Sequence, residues 1–285
     1  MKTISSLKKD LEFTRSLSSL VEVLKAIAVS QFKALEKKIK TFEKLQLTIE
    51  SFFELINISS AEHIFLNPGN RAQAIVAVTS DSGLLGGLNM QVVNQALVEL
   101  EKSPGKLIVI GERGKAYLRE TKIPFVAFGG ITEEERYGQA VQMRDYVMSQ
   151  ISEGQFGPLK VVYPRPISFT VQRVEVSQFL PFVLTSLKHP ETGPRAIDVI
   201  LESRLEDIIE YLVFIWMGQK FYEIFGLSRL AEFAARFVHL EESHQKLKEM
   251  DGKLKLEYFR VRHELIDRNM RELFAARLLY ASREN

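Results

Sequence analysis

The sequence predicts an α/β domain that lies between two long helices, which pair as an antiparallel coiled coil. Residues 1–67 contain no glycine or proline, and neither do the residues after Gly252. In the middle of the chain, short apolar runs alternate with helical patterns and with glycine-rich turns. We therefore expect an N-terminal coiled-coil helix in residues 1–67, a central Rossmann-like parallel-sheet domain in residues 68–193, and a C-terminal coiled-coil helix in residues 194–285 that pairs with the first.

The first helix is predicted from a stripe of apolar residues that recur at steps of three and four. The stripe runs from Ile4 to Ile56, with Thr14 in one of its positions, and its spacing is typical of a left-handed coiled coil. A long helix inside an ordinary helical domain is the alternative. The length of the pattern without a break favours the coiled coil.

The last helix is predicted from a second stripe that begins after Pro194, at Ile197 and Leu201, and continues to Leu273. Three glycines interrupt this stripe, and each predicts a kink or a loop: Gly218, Gly226 and Gly252. The segment is long enough to run antiparallel to the first helix.

The middle of the chain predicts repeated βα units, which favour a parallel sheet with right-handed crossovers. Residues 74–80 form an unbroken apolar run, as expected for a strand buried on both faces. Asn89 is predicted to cap the following helix, and Thr132 to Glu135 to form a capping box. Further strands are predicted at residues 106–110, 125–128, 159–163 and 169–179, with helices at 89–101, 114–122 and 132–152.

Composition narrows the possible functions. The net charge is +2, too small to indicate nucleic acid, although both helical ends are basic. Cysteine is absent, so a disulfide framework or a thiolate metal site is not expected. The most apolar stretch, Tyr211 to Met217, is far shorter than a bilayer span, so we expect no direct membrane insertion.

The residues that could carry chemistry form no recognisable catalytic motif. Gly83, Gly86 and Gly87 follow the first strand, but their spacing is neither that of a dinucleotide-binding loop nor that of a P-loop. The five histidines lack metal-ligand spacing. The sequence therefore predicts no catalytic residue, no metal and no cofactor.

Four segments carry a resemblance to a known family. Val78 to Asn89 reads V-T-S-D-S-G-L-L-G-G-L-N, which resembles the signature T-S/T-D-R-G-L-C-G-G-x-N. The N-terminal helix resembles the family's pattern I-R…I…I-T…M…M-V-A-A-S at Leu7-Lys8, Leu11, Leu20-Val21, Leu24 and Ile27 to Ser30. Glu232 to Val238 resembles the family's E-x-A-A-R-M-x, and Tyr258 to Glu272 resembles its closing helix motif. With its order of elements, the chain resembles the gamma subunit of F-type ATP synthases, a central rotor shaft, over almost its whole length.

The resemblance implies roles for particular residues. It implies a structural signature turn that contains Asp81, Gly83, Gly86, Gly87 and Asn89. It also implies an interface with partner subunits that contains Leu24, Arg236, Arg262, His263, Asp267 and Glu272. The chain departs from the family at Ser82, where arginine is usual, at Leu85, where cysteine is common, and at His263 and Asp267, where glutamine and threonine are usual.

The resemblance further implies a non-catalytic rotor subunit with several partners. These are the alpha and beta subunits of the catalytic hexamer, the epsilon subunit and the membrane c-ring, at the cytoplasmic face of a bacterial inner membrane. Two alternatives stay open at this point: an enzyme that binds a nucleotide or a flavin in the α/β domain, and a free-standing coiled-coil adaptor.

Overall fold

The computed structural model describes residues 3–39, 63–182 and 203–281. The chain forms two compact units, one of residues 1–27 with 238–285 and one of residues 28–237. The helices are α1 (Ile4–Ile39), α2 (Leu88–Lys102), α3 (Glu112–Arg119), α4 (Arg136–Ser152) and α5 (Leu205–Ala281). The strands are β1 (Gln73–Val78), β2 (Gly105–Ile110), β3 (Phe125–Phe128), β4 (Leu159–Pro166) and β5 (Gln172–Leu180).

The five strands form one sheet in the order β3-β2-β1-β4-β5. The first four are parallel, and β5 pairs antiparallel with β4. The predicted fold class is confirmed, with a sheet that is mostly parallel. The last strand is antiparallel because the short connection after β4 allows only a hairpin, whereas a parallel neighbour needs a long crossover.

The sheet is buried on both faces, which explains the continuous apolar run of β1. Ile75 and Ala77 pack with α2 and α3 on one face. Val76 and Val78 pack with α4 and with the first part of α5 on the other face, where Val213, Met217 and Phe221 join the core. Helices on both faces of a mostly parallel sheet are typical of a doubly wound fold.

Helix α5 is continuous over 77 residues. We expected a kink or a loop at each of its three glycines. The expectation of loops was wrong, because the helix continues through Gly218, Gly226 and Gly252. A glycine costs a helix only about 1 kcal/mol relative to alanine. Around Gly218 and Gly226, burial of the apolar face of α5 against the sheet outweighs that cost.

Two predicted helix starts were also wrong. Helix α2 begins at Leu88, so Asn89 lies inside its first turn and does not cap it. Helix α4 begins at Arg136, and its preceding residue makes no side-chain capping bond, so the box from Thr132 to Glu135 does not form. The side chain of Asn89 has a buried hydrogen-bonding partner instead, as described below.

Some predictions lie outside the described residues. The stripe between residues 40 and 56, as well as Ile197 and Leu201, belong to this group. The division into residues 1–67, 68–193 and 194–285 stays a prediction for the same reason. None of the helices in the described residues combines the length and the apolar composition that crossing a bilayer requires.

Candidate functional site

The signature turn begins where β1 ends, and its first residue is fixed by two neighbouring loops. The Oδ1 atom of Asp81 accepts a hydrogen bond of 2.8 Å from the backbone N–H of Glu112, the first residue of α3. A Cβ atom on Gly130 would lie 2.3 Å from the Asp81 carboxyl carbon, so only glycine allows this approach. Asp81 therefore places a negative charge at the N-terminus of α3, where the helix dipole stabilises it.

Asn89 ties the other end of the turn to β1. Its Oδ1 atom accepts a 3.1 Å hydrogen bond from the backbone N–H of Ser80, and its Nδ2 atom donates a 2.9 Å bond to the Ser80 hydroxyl. Both residues are buried. A buried amide left without partners is costly, so this reciprocal pair fixes the geometry of the turn.

Each glycine of the turn occupies a different structural setting. Gly86 has a φ of 58°, in the left-handed region that glycine adopts readily. A Cβ atom on Gly83 would lie 3.0 Å from the Nη2 atom of Arg113. Gly87 directly precedes α2. The glycines thus serve the path of the backbone and the packing around it.

Helix α5 packs directly on this turn. Leu85 and Leu88 form a small buried cluster with Ala235. The Nη2 atom of Arg236 donates a 2.6 Å hydrogen bond to the Oγ atom of Ser82. Two segments that carry the family resemblance therefore lie together, although about 150 residues separate them in sequence.

Beside this contact lies a buried carboxyl that sequence reasoning missed. Glu232 is 3% exposed, and its Oε2 atom lies 2.6 Å from the Nη1 atom of Arg229. Burial raises the pKa of Glu232 to about 7, against the opposing charges of Arg229 and Arg236. Burial lowers the pKa of Arg236 from its ordinary value. The three-residue spacing of Arg229 and Glu232 on a helix was the signal that could have identified the pair.

The other predicted interface residues belong to the unit of residues 1–27 and 238–285. Leu24 is half-buried in α1, whereas Arg262, His263, Asp267 and Glu272 are exposed on α5. Glu272 forms an ion pair of 3.0 Å with Arg268.

Three contacts set the register of α1 against α5 in this unit. They join Arg15 to Asp251, Ser18 to His244, and Lys25 to Glu241. In this register Leu24 lies about 30 Å along the helix from Arg262. The structure therefore does not bring Leu24 together with the other predicted interface residues of this unit.

Across residues 3–39, 63–182 and 203–281, no three histidine, aspartate or glutamate side chains group as metal ligands. The carboxyl end of β1 is where a doubly wound domain binds its ligand. Here the turn at that end contacts α5.

Comparison with known proteins gives a consistent result. A family model described as ATP synthase matches residues 3–277. The ATP synthase gamma chain of Clostridium pasteurianum is 23% identical over 267 residues, which cover 91% of this chain and 93% of that protein. The gamma chain of Clostridium acetobutylicum is 24% identical, with the same coverage.

Solved structures share the fold. A chain in the cryo-EM structure of the Euglena gracilis mitochondrial ATP synthase (OSCP/F1/c-ring, rotational state 3) aligns with a TM-score of 0.74 at 16% identity, over 99% of this chain and 96% of that one. A chain in the rotor structure of the same enzyme aligns with a TM-score of 0.68 over 92% of this chain. The match of the family model over nearly the whole sequence decides the assignment: this chain belongs to the ATP synthase gamma family.

Proposed function

We propose that this chain is the central rotor shaft of an F-type ATP synthase. It couples ion flow through a membrane ring to ATP synthesis or hydrolysis on partner subunits, and it carries no catalytic residue itself. The partners are the alpha and beta subunits of the catalytic hexamer, the epsilon subunit and the c-ring. The division into two coiled-coil segments, 1–67 and 194–285, around a sheet domain at 68–193 is part of this proposal.

The observation that carries the proposal is the uncovered end of α5. Arg15 pairs with Asp251, and α1 begins at Ile4. The antiparallel register therefore puts the start of α1 beside about residue 262 of α5. Helix α5 continues to Ala281, so about 30 Å of it extends beyond that point. Every side chain from Arg262 to Arg277 is exposed.

This uncovered segment carries large apolar side chains that water does not favour. Leu273 is 66% exposed and Phe274 is 60% exposed. Leu265, Ile266 and Met270 are also exposed. A helix with exposed apolar residues that are interspersed with charges is typical of a segment that a protein partner encloses. The hexamer of alpha and beta subunits supplies such an enclosure.

The same segment gives the shaft the asymmetry that coupling needs. Charged and polar residues, among them Arg262, His263, Asp267 and Glu272, lie between the apolar ones. A shaft whose sides differ contacts each catalytic site differently as it turns. Contacts that differ between two conformations shift the equilibrium between them, which is how rotation changes affinity at distant sites.

We also propose that the sheet domain is the part of the chain that contacts the epsilon subunit and the c-ring. The chain is then peripheral to the membrane, held there by its complex. The bacterial relatives favour the cytoplasmic face of a bacterial inner membrane. The contact of α5 with the glycine-rich turn argues against the alternative of a nucleotide- or flavin-binding enzyme, because that turn is where the ligand would lie.

Co-expression with the alpha and beta subunits of the same organism tests the proposal. We expect the three proteins to co-purify as a complex that hydrolyses ATP. In vesicles that contain the whole synthase, ATP should drive ion pumping that depends on this chain. A stable chain that does not associate with alpha and beta would favour the free-standing adaptor and overturn the proposal. Submillimolar binding of a nucleotide or flavin by the isolated chain would favour the enzyme.

A further inference from the structure

Two arginines of α4 lie over two of the glycines of α5. A Cβ atom on Gly226 would lie 2.8 Å from the Nη1 atom of Arg136. A Cβ atom on Gly218 would lie 3.2 Å from the Cδ and Nη1 atoms of Arg144. The arginines are eight residues apart on α4, and the glycines are eight residues apart on α5 in the opposite direction. Each glycine therefore forms a notch that receives one arginine.

The same arrangement repeats at both notches, because an aromatic ring lies four residues before each glycine. The guanidinium carbon of Arg136 is 4.3 Å from the ring centroid of Tyr222, and its Nη2 atom donates a 2.9 Å hydrogen bond to the Tyr222 hydroxyl. The guanidinium carbon of Arg144 is 3.6 Å from the ring centroid of Phe214. Cation–π contact holds each guanidinium against α5.

Ion pairing does not account for the position of Arg136, whereas Arg144 also pairs with its neighbour Asp145, whose Oδ1 atom is 2.7 Å from the Arg144 Nη2 atom. Arg136 is 3% exposed, and its Nε and Nη1 atoms have no hydrogen-bond partner among the described residues. The nearest carboxylate oxygen, Oε2 of Glu133, is 3.6 Å from Nη1. Replacing a buried ion pair with well-packed apolar side chains is often neutral or stabilising. What the arginines add is a directional contact at one place on α5.

We propose that Arg136 and Arg144 lock the rotation of α5 relative to the sheet domain. Twist that reaches this domain then passes into α5 and along it to Ala281. The inference rests on the proposed rotor function and gives the two arginines a role as positioning residues in coupling. It also explains Gly218 and Gly226, which a helix of this length would otherwise avoid.

The geometry of a helix shows why the notches resist rotation. Successive residues point about 100° apart around the axis. A turn of α5 by about 100° about its axis brings a neighbouring residue to the place of the glycine, and the residues that flank Gly226 are Phe225 and Leu227. Neither leaves room for the guanidinium, so α5 turns only if the arginine withdraws from its notch.

Three glycines on one helix provide the test and its matched control. We would substitute Gly226→Ala, Gly218→Ala and Gly252→Ala in the whole synthase and measure ions pumped per ATP hydrolysed in vesicles. A Cβ atom at Gly252 meets nothing within 4 Å. We expect the pumping ratio to fall about twofold or more for Gly226→Ala, less for Gly218→Ala, and not at all for Gly252→Ala. ATP hydrolysis should continue in all three.

A second variant separates positioning from simple support of the fold. Arg136→Leu removes one partner of the buried Glu133 oxygen, so the melting temperature of the isolated chain should fall and the pumping ratio should fall with it. Val147→Ala is the matched control, because Val147 is fully buried on the same helix but contacts neither glycine notch. It should lower the melting temperature and leave the pumping ratio unchanged. Equal pumping ratios for Gly226→Ala, Arg136→Leu and Gly252→Ala would overturn the inference. These measurements use complexes that have assembled and that pump ions with the unmodified chain. A negative result in these measurements therefore overturns the role of the two arginines and leaves the rotor proposal intact. The rotor proposal itself is overturned if no such complex forms.

Discussion

The Nη2 atom of Arg236 donates a 2.6 Å hydrogen bond to the Oγ atom of Ser82 and so joins α5 to the signature turn. Ser82 is one of the positions at which the chain departs from its family, since arginine is usual there. The family motifs carry arginine at both positions, whereas this chain pairs an arginine with a hydroxyl. The serine instead gives Arg236 an acceptor beside the buried Glu232.

Loss of this contact should weaken the fold measurably. We expect Ser82→Ala to lower the free energy of unfolding by about 1 kcal/mol, because Arg236 loses an acceptor while it stays partly buried. Urea denaturation of the isolated chain measures the change. Ser149→Ala is the matched control, since that hydroxyl bonds only to a carbonyl of its own helix turn. Equal effects of the two variants would contradict the prediction.

The stability of the chain should depend on pH through Glu232. Its pKa is raised from 4.5 to about 7, so between these values the folded state keeps a proton that the unfolded chain has released. The contribution of this carboxyl to stability therefore falls as pH rises through that range, and it is constant above it.

Glu232→Gln removes the titration and leaves a side chain of the same shape, which still accepts from Arg229. We expect the variant to gain about 3 kcal/mol relative to the unmodified chain as pH rises from about 4.5 to about 7. Arg229, Arg236 and Asp81 are the charged groups that act on this carboxyl. Urea denaturation at several pH values measures the difference, and parallel pH curves for the two proteins would refute the assignment.

The register of the coiled coil can be tested by cross-linking, because the chain contains no cysteine. The Oγ atom of Ser18 is 3.3 Å from the Nδ1 atom of His244. Ser18→Cys combined with His244→Cys should be bridged within one chain by a short thiol-specific reagent, as seen by gel mobility. Ser18→Cys with His263→Cys is the control, about 30 Å away along α5. Equal bridging in both pairs would mean a different register.

The uncovered end of α5 should matter to the complex more than to the chain itself. Leu273→Asp changes a residue that is already 66% exposed, so the melting temperature of the isolated chain should stay the same. In co-expression, recovery with alpha and beta should fall about tenfold. Leu256→Asp provides the control, because Leu256 is 73% exposed on the part of α5 that runs beside α1. Similar recovery of both variants would argue against enclosure of this end.

The strands and the family could be read from the sequence, because their signals are local. β3 covers the residues predicted for it, and β1 is buried along its whole length as its apolar run indicated. The turn from Asp81 to Asn89 carried the family signature. The hydrogen bonds that hold this turn could not be predicted. Asp81 bonds to Glu112 and Asn89 bonds to Ser80, and no local sequence rule connects these pairs.

The errors came from reading glycine and asparagine by their local preferences. Gly218 and Gly226 interrupt no helix, because their missing side chains admit Arg144 and Arg136 from another helix. Asn89 does not cap α2, because its amide bonds to the end of β1. In both cases a tertiary contact outweighed a preference of about 1 kcal/mol.

The sequence by itself determined the order of the elements, the apolar stripes of both long helices and the family, because periodicity and motifs are properties of neighbouring residues. The tertiary structure decided the register of α1 on α5, the contact of Ser82 with Arg236, the buried state of Glu232, and the seating of two arginines in glycine notches. These depend on residues far apart in the chain that meet only after the helices have packed on the sheet, so no local pattern contains them.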